Sequence, residues 1–155
     1  MRLLRCTSCL VVLFGLSVCA AQLNAQQDNL SPDQLRALAH SSPQWPDIQA
    51  HLPDPSIATP EQLETAGDVL RARRFPQDAL DYYMYAMRRG GREVALLNKM
   101  GITELGLGHA ERARTYFKEV IKLKKKDAEG WNNLGAVEYV MGEESNAIFD
   151  YKHAI

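Results

Sequence analysis

A repeated spacing of 34 residues constrains this sequence more than any other feature. Three residue classes recur at that spacing: a glycine, an alanine 12 residues later, and an aromatic residue four residues after the alanine. The nine positions are Gly67, Ala79 and Tyr83; Gly101, Ala113 and Phe117; and Gly135, Ala147 and Tyr151. A period of roughly 20–50 residues is typical of stacked, self-similar units. The sequence therefore predicts three copies, at 60–93, 94–127 and 128–155, with the last one incomplete.

Each repeated glycine lies inside a stretch with helical character, at 61–73, 93–107 and 128–141. A glycine inside a helix costs about 1 kcal/mol relative to alanine, so three of them need a common structural reason. Close approach of two helices supplies one, with the glycine facing the alanine across an antiparallel hairpin. The aromatic residue is then expected to fill the gap to the next helix pair. Gly108 and Gly142 are predicted to end first helices in a left-handed conformation.

The first 21 residues have the three-part pattern of a secretory signal peptide. Two arginines precede an apolar stretch at 10–18, and small residues follow at 19–21. The apolar stretch is shorter than the roughly 20 residues that a membrane-spanning helix needs. We expect cleavage after residue 20 or 21, with Ala25 as a further option, and an exported protein that is periplasmic or secreted.

Two alternatives for this segment stay open. Residues 16–19 resemble a bacterial lipoprotein box, which would make Cys19 a lipidated membrane anchor. The segment can also remain uncleaved as an anchor, and in no other case is membrane attachment expected. All three cysteines (Cys6, Cys9 and Cys19) lie here, so the rest of the chain has no disulfide and no cysteine-ligated metal.

Residues 22–59 are predicted to be a proline- and glutamine-rich linker, mostly disordered. Six of the seven prolines lie between positions 32 and 60, and aliphatic residues are too sparse to offset the ordering entropy. One short helix is predicted at 31–38, where Ser31 begins a capping box. Trp45 is expected to pack on the repeat domain, because so large an aromatic side chain is costly to leave in water. Thr59 begins a second capping box at the start of the repeats.

The repeated pattern resembles the tetratricopeptide repeat family, whose signature is Trp-x2-Leu-Gly-x2-Tyr followed by Ala, an aromatic residue, Ala and Pro. The third copy matches best, with Trp131, Leu134, Gly135, Ala147, Tyr151 and Ala154. The family's tyrosine after the glycine is replaced by Leu70, Glu104 and Glu138, and its closing proline by Gly91 and Lys125. The resemblance covers about 60–155. It implies an all-α fold, a right-handed α-solenoid of helical hairpins.

The resemblance also implies a concave groove lined by the first helix of each hairpin. The groove positions carried over by register are Glu64, Asp68 and Arg71; Asn98, Ile102 and Leu105; and Asn132, Ala136 and Tyr139. Their spacing places each trio on one helical face. Asn98 and Asn132 take equivalent positions, and an asparagine amide can hydrogen-bond both the N–H and the C=O of an extended backbone. We therefore predict peptide binding, with Tyr139 as an aromatic contact.

One subclass of the family is excluded. Members that bind chaperone tails clamp a C-terminal carboxylate, and Glu64 and Asp68 stand where that clamp needs lysine and asparagine. Two acids would repel a carboxylate.

Catalytic and cofactor motifs are absent from the sequence. The four histidines show no metal-ligand spacing, so neither a metal nor a cofactor is predicted. The net charge of −1 gives no basic excess for nucleic acid. Glu104 and Glu138 recur at one repeat position and are interpreted as exposed carboxylates, not as an acid pair of an enzyme.

The predicted function is a non-catalytic scaffold that binds a protein or peptide partner in the groove. The alternative is the N-terminal adaptor part of a longer exported enzyme or envelope-assembly protein. A third hypothesis is self-association through the C-terminal helix, because Ile148, Tyr151 and Ile155 form an apolar face there.

Overall fold

A computed structural model describes residues 30–155, so the predicted signal peptide and the Cys19 lipidation site lie outside the described residues. Within that range the chain has eight α-helices and no strand. It divides into two compact units, Met1–Ser42 and Pro43–Ile155. Helix α1 (Pro32–His40) belongs to the first unit. None of the helices in the described range has the length and apolar character that crossing a membrane requires.

The second unit contains a short helix followed by three helical hairpins. These helices are α2 (Trp45–Ala50), α3 (Pro60–Ala72), α4 (Pro76–Arg88), α5 (Glu93–Gly106), α6 (Ala110–Leu123), α7 (Ala128–Val140) and α8 (Glu144–His153). The hairpins are α3–α4, α5–α6 and α7–α8, and each packs on the next one along the chain. The prediction of an all-α array of hairpins is confirmed, and the first helices end within one residue of the predicted positions.

The helix ends follow from local sequence. Ser31 and Thr59 both form the predicted capping boxes, in which the side chain accepts a hydrogen bond from a backbone N–H and a glutamine returns one. Gly108 and Gly142 end α5 and α7 with φ values of 81° and 79°, as predicted. The equivalent position after α3 holds Arg74, which has a φ of 69°.

The repeated glycines make room for the aromatic rings of their own hairpins. A Cβ atom added to Gly67 would lie 2.5 Å from Cε1 of Tyr83, and one added to Gly101 would lie 2.5 Å from Cε1 of Phe117. This corrects the prediction that glycine faces alanine and that the ring fills the gap to the next pair. The alanines are buried, but the bulky ring is the group that would collide with a side chain.

The core between hairpins uses the same rings from their other side. Ala113 and Phe117 of α6 pack with Leu134 and Val137 of α7 in one buried cluster. Tyr83 and Phe117 are fully buried, whereas Tyr151 in the last hairpin is 36% exposed. Each ring is therefore completely covered only when a following hairpin packs against it.

The segment between Pro43 and Thr59 differs from the prediction of a mostly disordered linker with one helix. It contains the second helix α2, and Trp45 packs against Phe75 with ring centroids 5.0 Å apart. The Tyr82 hydroxyl donates a hydrogen bond to the Pro53 carbonyl at 3.1 Å, and Ile48 is buried. The composition argument considered only the segment itself, while the first hairpin supplies the apolar surface that orders it.

Candidate partner-binding groove

The first helices α3, α5 and α7 lie side by side and are joined by polar side chains. Lys99 on α5 bridges to two acids on α3, and Asn133 on α7 donates a hydrogen bond to Asn98 on α5 at 3.5 Å. We call the surface formed by these three helices the groove. It has a charged end on α3 and α5 and an apolar end on α5 and α7.

At the charged end, Lys99 is held between two carboxylates. Its Nζ lies 2.8 Å from Oε1 of Glu64 and 2.5 Å from Oδ2 of Asp68. Burial alone lowers the pKa of Lys99, but the hydrogen bonds with both acids outweigh it and hold that pKa above its ordinary value. Arg92 lies 2.8 Å from the same oxygen of Glu64. The positive charges here are matched by acids of the chain itself.

Asp68 also connects the groove to the hairpin core. The Tyr83 hydroxyl donates a hydrogen bond to Oδ1 of Asp68 at 2.8 Å. Burial of the phenol, reinforced by this hydrogen bond, raises the pKa of Tyr83 far above its ordinary value. The ring that fills the space beside Gly67 therefore also fixes the orientation of a groove carboxylate.

The structure places the two predicted groove asparagines in different environments. Asn98 is 2% exposed, and its amide donates a 3.5 Å hydrogen bond to Asp127, the residue that caps α7. Asn132 is exposed, and within residues 30–155 its side chain makes no hydrogen bond. The prediction that both amides face a peptide is therefore corrected for Asn98, because α7 and its cap cover it.

The apolar end centres on α7. Ala136 is half-buried and Tyr139 is 65% exposed, and both share a helical face with Asn132. Ile102 on α5 is also exposed. Leu105, predicted to line the groove, instead packs against the buried cluster around Phe117.

Arg71 is exposed at the α3 end of the groove. Its charge lowers the pKa of Tyr83, an effect smaller than those of burial and Asp68. The sequence prediction omitted Lys99 and Arg92 from the groove. The signal for both was an acid–base pairing between neighbouring copies, since Glu64 lies 35 residues before Lys99.

Comparisons with known proteins find similarity at the level of structure. The TPR domain of Sgt2 from Aspergillus fumigatus matches with a TM-score of 0.58 and 20% identity over 66% of this chain and 66% of that chain. The second TPR of Spaghetti (RPAP3), bound to the HSP90 peptide SRMEEVD, matches with a TM-score of 0.57 and 14% identity over 62% of this chain and 89% of that chain. YrrB, a TPR protein with an unusual peptide-binding site, matches with a TM-score of 0.56 and 18% identity over 85% and 72%.

The chain has the tetratricopeptide repeat fold. No protein-family model matches the sequence, and no curated protein matches it either. At these identities the structural similarity establishes the fold of the hairpins. The chemistry of the groove has to be taken from its own side chains.

The tetratricopeptide repeats of this chain carry buried acids where the family signature has a tyrosine. Glu104 and Glu138 are each 5% exposed, which corrects the interpretation of both as exposed carboxylates. Glu104 lies 2.6 Å from Nδ1 of His109, and Glu138 lies 3.9 Å from Nε of Arg114 on the preceding hairpin. Their position faces the neighbouring second helices, so each acid is enclosed by packing and paired with a base.

An aromatic cluster in the third tetratricopeptide repeat was also not predicted. The Trp131 ring lies 4.7 Å from the His153 ring, which lies 4.2 Å from the Phe149 ring. The Trp131 Nε1–H donates a hydrogen bond to the Lys125 carbonyl at 2.8 Å. These contacts join the two helices of the hairpin at the base of α7. Among residues 30–155, no cluster of three or more His, Cys, Asp or Glu side chains is arranged to hold a metal ion.

Proposed function

We propose that this chain is a non-catalytic scaffold that holds an extended segment of a protein partner in the groove. The observation that carries the proposal is the exposed face of α7, where Asn132, Ala136 and Tyr139 stand in one row. Two proteins of similar fold support it, since one is bound to a peptide and the other is described as having a peptide-binding site. Their low identities leave the chemistry of the ligand to the groove itself.

Each residue of the row has a distinct role in this proposal. The Asn132 amide can pair with both the N–H and the C=O of one peptide unit. Tyr139 supplies a large, rigid surface for an apolar side chain, and Ile102 extends that surface onto α5. Aromatic residues commonly dominate the binding energy of interfaces of this kind.

The charged end determines which part of a peptide is held. Lys99 is already neutralised by Glu64 and Asp68, so a C-terminal carboxylate would have to displace one of two acids to reach it. We therefore propose that the groove binds an internal stretch of its partner and does not capture a chain end. The buried and paired Glu104 and Glu138 act in packing, not in catalysis.

A displayed library of random peptides, selected on the purified chain, provides the test. The binding of an enriched peptide is then measured by fluorescence polarisation to the wild type and to Asn132→Ala, Tyr139→Ala and Met84→Ala. Met84 is an exposed apolar residue on α4 and serves as the matched control. We expect a loss of about tenfold for each groove variant, which corresponds to 1.4 kcal/mol, and none for the control.

The same peptide with an amidated C-terminus separates the two modes of binding. Equal affinity of the amidated and free-acid forms supports binding of an internal segment. Loss of binding on amidation would show carboxylate capture and overturn that part of the proposal. Full binding by both groove variants would overturn the assignment of the site.

We also propose that the scaffold acts outside the cytoplasm, on the strength of the signal pattern at residues 1–21. Expression of the full chain with N-terminal sequencing of the exported product tests this. A product that starts after residue 20, 21 or 25 supports cleavage, and a lipid-modified Cys19 supports the lipoprotein alternative. Retention of the intact chain in the cytoplasm contradicts both.

A further inference from the structure

A cavity of about 670 Å³ lies between α2 and the first helix of the array, α3. Its apolar walls include Ile48 and Leu52 on one side and Ala66 and Val69 on the other. Val69 is 45% exposed. An open apolar cavity of this size is large enough to receive side chains from another helix.

The α3 wall of the cavity is the face that, in the other first helices, receives a preceding hairpin. At the 34-residue spacing, Ala66 and Val69 correspond to Met100 and Thr103 on α5 and to Leu134 and Val137 on α7. Those four residues are at most 4% exposed because second helices cover them. On α3 the same face is only partly covered by the segment that contains α2.

The matching half of such a junction lies on α8. Within the array, α6 covers α7 with Ala113, Phe117 and Val120, and Val120 Cγ1 would lie 2.5 Å from a Cβ on Gly130. Helix α8 carries Ala147, Tyr151 and Ala154 at the same spacing. Tyr151 is 36% exposed, Ile148 is 55% exposed and Ile155 is fully exposed.

The charges at the two faces also correspond. The α6–α7 junction pairs Arg114 with Glu138, and the equivalent residues on α8 and α3 are Ile148 and Leu70. Both members of the ion pair are thus replaced together by apolar residues, so no buried charge would be left without its partner. Asp47 and Glu61 line the cavity, and Lys152 is the exposed base on α8.

We propose that α8 of one copy of this chain docks into the α2–α3 cavity of a second copy. The contact reproduces the junction between consecutive hairpins and is independent of the groove proposed above. The two docking faces differ, so the association is heterologous, and it extends as an open series of copies instead of closing as a two-fold dimer.

Sedimentation velocity of the purified chain over a range of concentrations tests the proposal. Val69→Glu disables the cavity face and Ile148→Glu disables the α8 face, and both positions are exposed, so neither substitution disturbs the core. Met84→Glu, at a residue outside both faces, is the control. Circular dichroism confirms that each variant keeps its helices.

We expect the wild type and the control to grow beyond a dimer as concentration rises, and each face variant alone to remain a monomer. An equimolar mixture of the two variants should form a dimer and nothing larger, because it contains only one intact pair of faces. A wild type that remains monomeric at its highest soluble concentration overturns the proposal. So does growth that stops at a dimer, or a mixture that stays monomeric.

Discussion

The ring of Phe117 lies against the backbone of Gly101, in the space that a side chain would otherwise occupy. A Cβ at position 101 would be 2.5 Å from Cε1 and 2.6 Å from Cζ of that ring. Gly67 has the same relationship with Tyr83, and Gly135 has it with Tyr151 at 2.9 Å. The helix cost of each glycine is therefore offset by the burial of an aromatic ring between two closely spaced helices.

Replacement of Gly101 by alanine should destabilise the fold. The added methyl group meets the ring of Phe117, which is fully buried and has no room to move. Overpacking of this kind costs about 1–3 kcal/mol and outweighs the gain in helix propensity. Urea denaturation measures the change.

Gly106 is the matched control, because it lies in the same helix and a Cβ there would meet nothing within 4 Å. Gly106→Ala should stabilise the protein by up to about 1 kcal/mol. Destabilisation of equal size by both substitutions would contradict the role given to the ring.

Replacement of Arg74 by glycine should stabilise the first hairpin. Arg74 has a φ of 69°, a left-handed conformation that costs a residue with a side chain about 1–2 kcal/mol. Gly108 and Gly142 occupy the same position in the other hairpins. We expect a gain of about 1 kcal/mol, less than the full strain because glycine is freer in the unfolded chain.

The reciprocal variant Gly108→Ala should lose a similar amount, since its only penalty is the backbone conformation. Thermal denaturation compares the two variants. An unchanged melting temperature in Arg74→Gly would mean that the arginine side chain stabilises the turn as much as the backbone strains it.

Replacement of Asp150 by asparagine should stabilise the protein near neutral pH. Burial, and then the negative charge of Glu138, raise the pKa of Asp150 above its ordinary value of 3.8 despite the opposing effects of His153 and Lys118. The folded state therefore binds this proton more tightly than the unfolded state does. The stability attached to it is present at low pH and is lost as the pH rises through the folded-state pKa.

The variant should gain about 1 kcal/mol near neutral pH, and its advantage should shrink as the pH falls toward 3.8. Chemical denaturation of both proteins across that pH range gives the difference directly. An advantage that stays constant with pH would show that the substitution acts through packing and not through the charge of Asp150.

Replacement of Lys99 by methionine should destabilise the charged end of the groove. The variant leaves the Glu64 carboxylate, whose side chain is 9% exposed, with Arg92 as its remaining ion-pair partner. A loss of about 2 kcal/mol is expected from the uncompensated charge. The double variant Lys99→Met with Glu64→Gln should recover most of it.

Lys122→Met is the control for that experiment. Lys122 also forms an ion pair, with Glu119, but 74% of its side chain is exposed. Exposed pairs of this kind contribute about 0–1 kcal/mol. Similar losses from both substitutions would argue that burial of the Lys99 pair has no special weight.

Much of the fold follows from short-range rules in the sequence. The capping boxes at Ser31 and Thr59 and the left-handed glycines at 108 and 142 depend on a few adjacent residues, and the structure has all of them as expected. The 34-residue period predicts the hairpins because each one repeats the same local pattern. The group opposite each glycine was assigned wrongly, since spacing alone does not tell which of two residues on a helix points across the hairpin.

The groove was harder to predict, because it depends on what covers each side chain. Asn98 and Asn132 occupy one repeat position, yet Asn98 is buried beneath α7 and its capping residue Asp127 while Asn132 is exposed. The burial of Glu104 likewise depends on His109 and on the helix that follows. Register fixes a position within a repeat, but solvent exposure depends on the neighbouring repeat.

The ion pair between Arg114 and Glu138 has a consequence for how such an array can change in length. The second hairpin carries Glu104 at the position equivalent to Glu138, so it contains both the base and the acid of that junction. A chain in which residues 94–127 were duplicated would bring the Arg114 of one duplicate to the Glu104 of the next. Gene duplication of this one unit can therefore lengthen the protein without creating an unmatched charge.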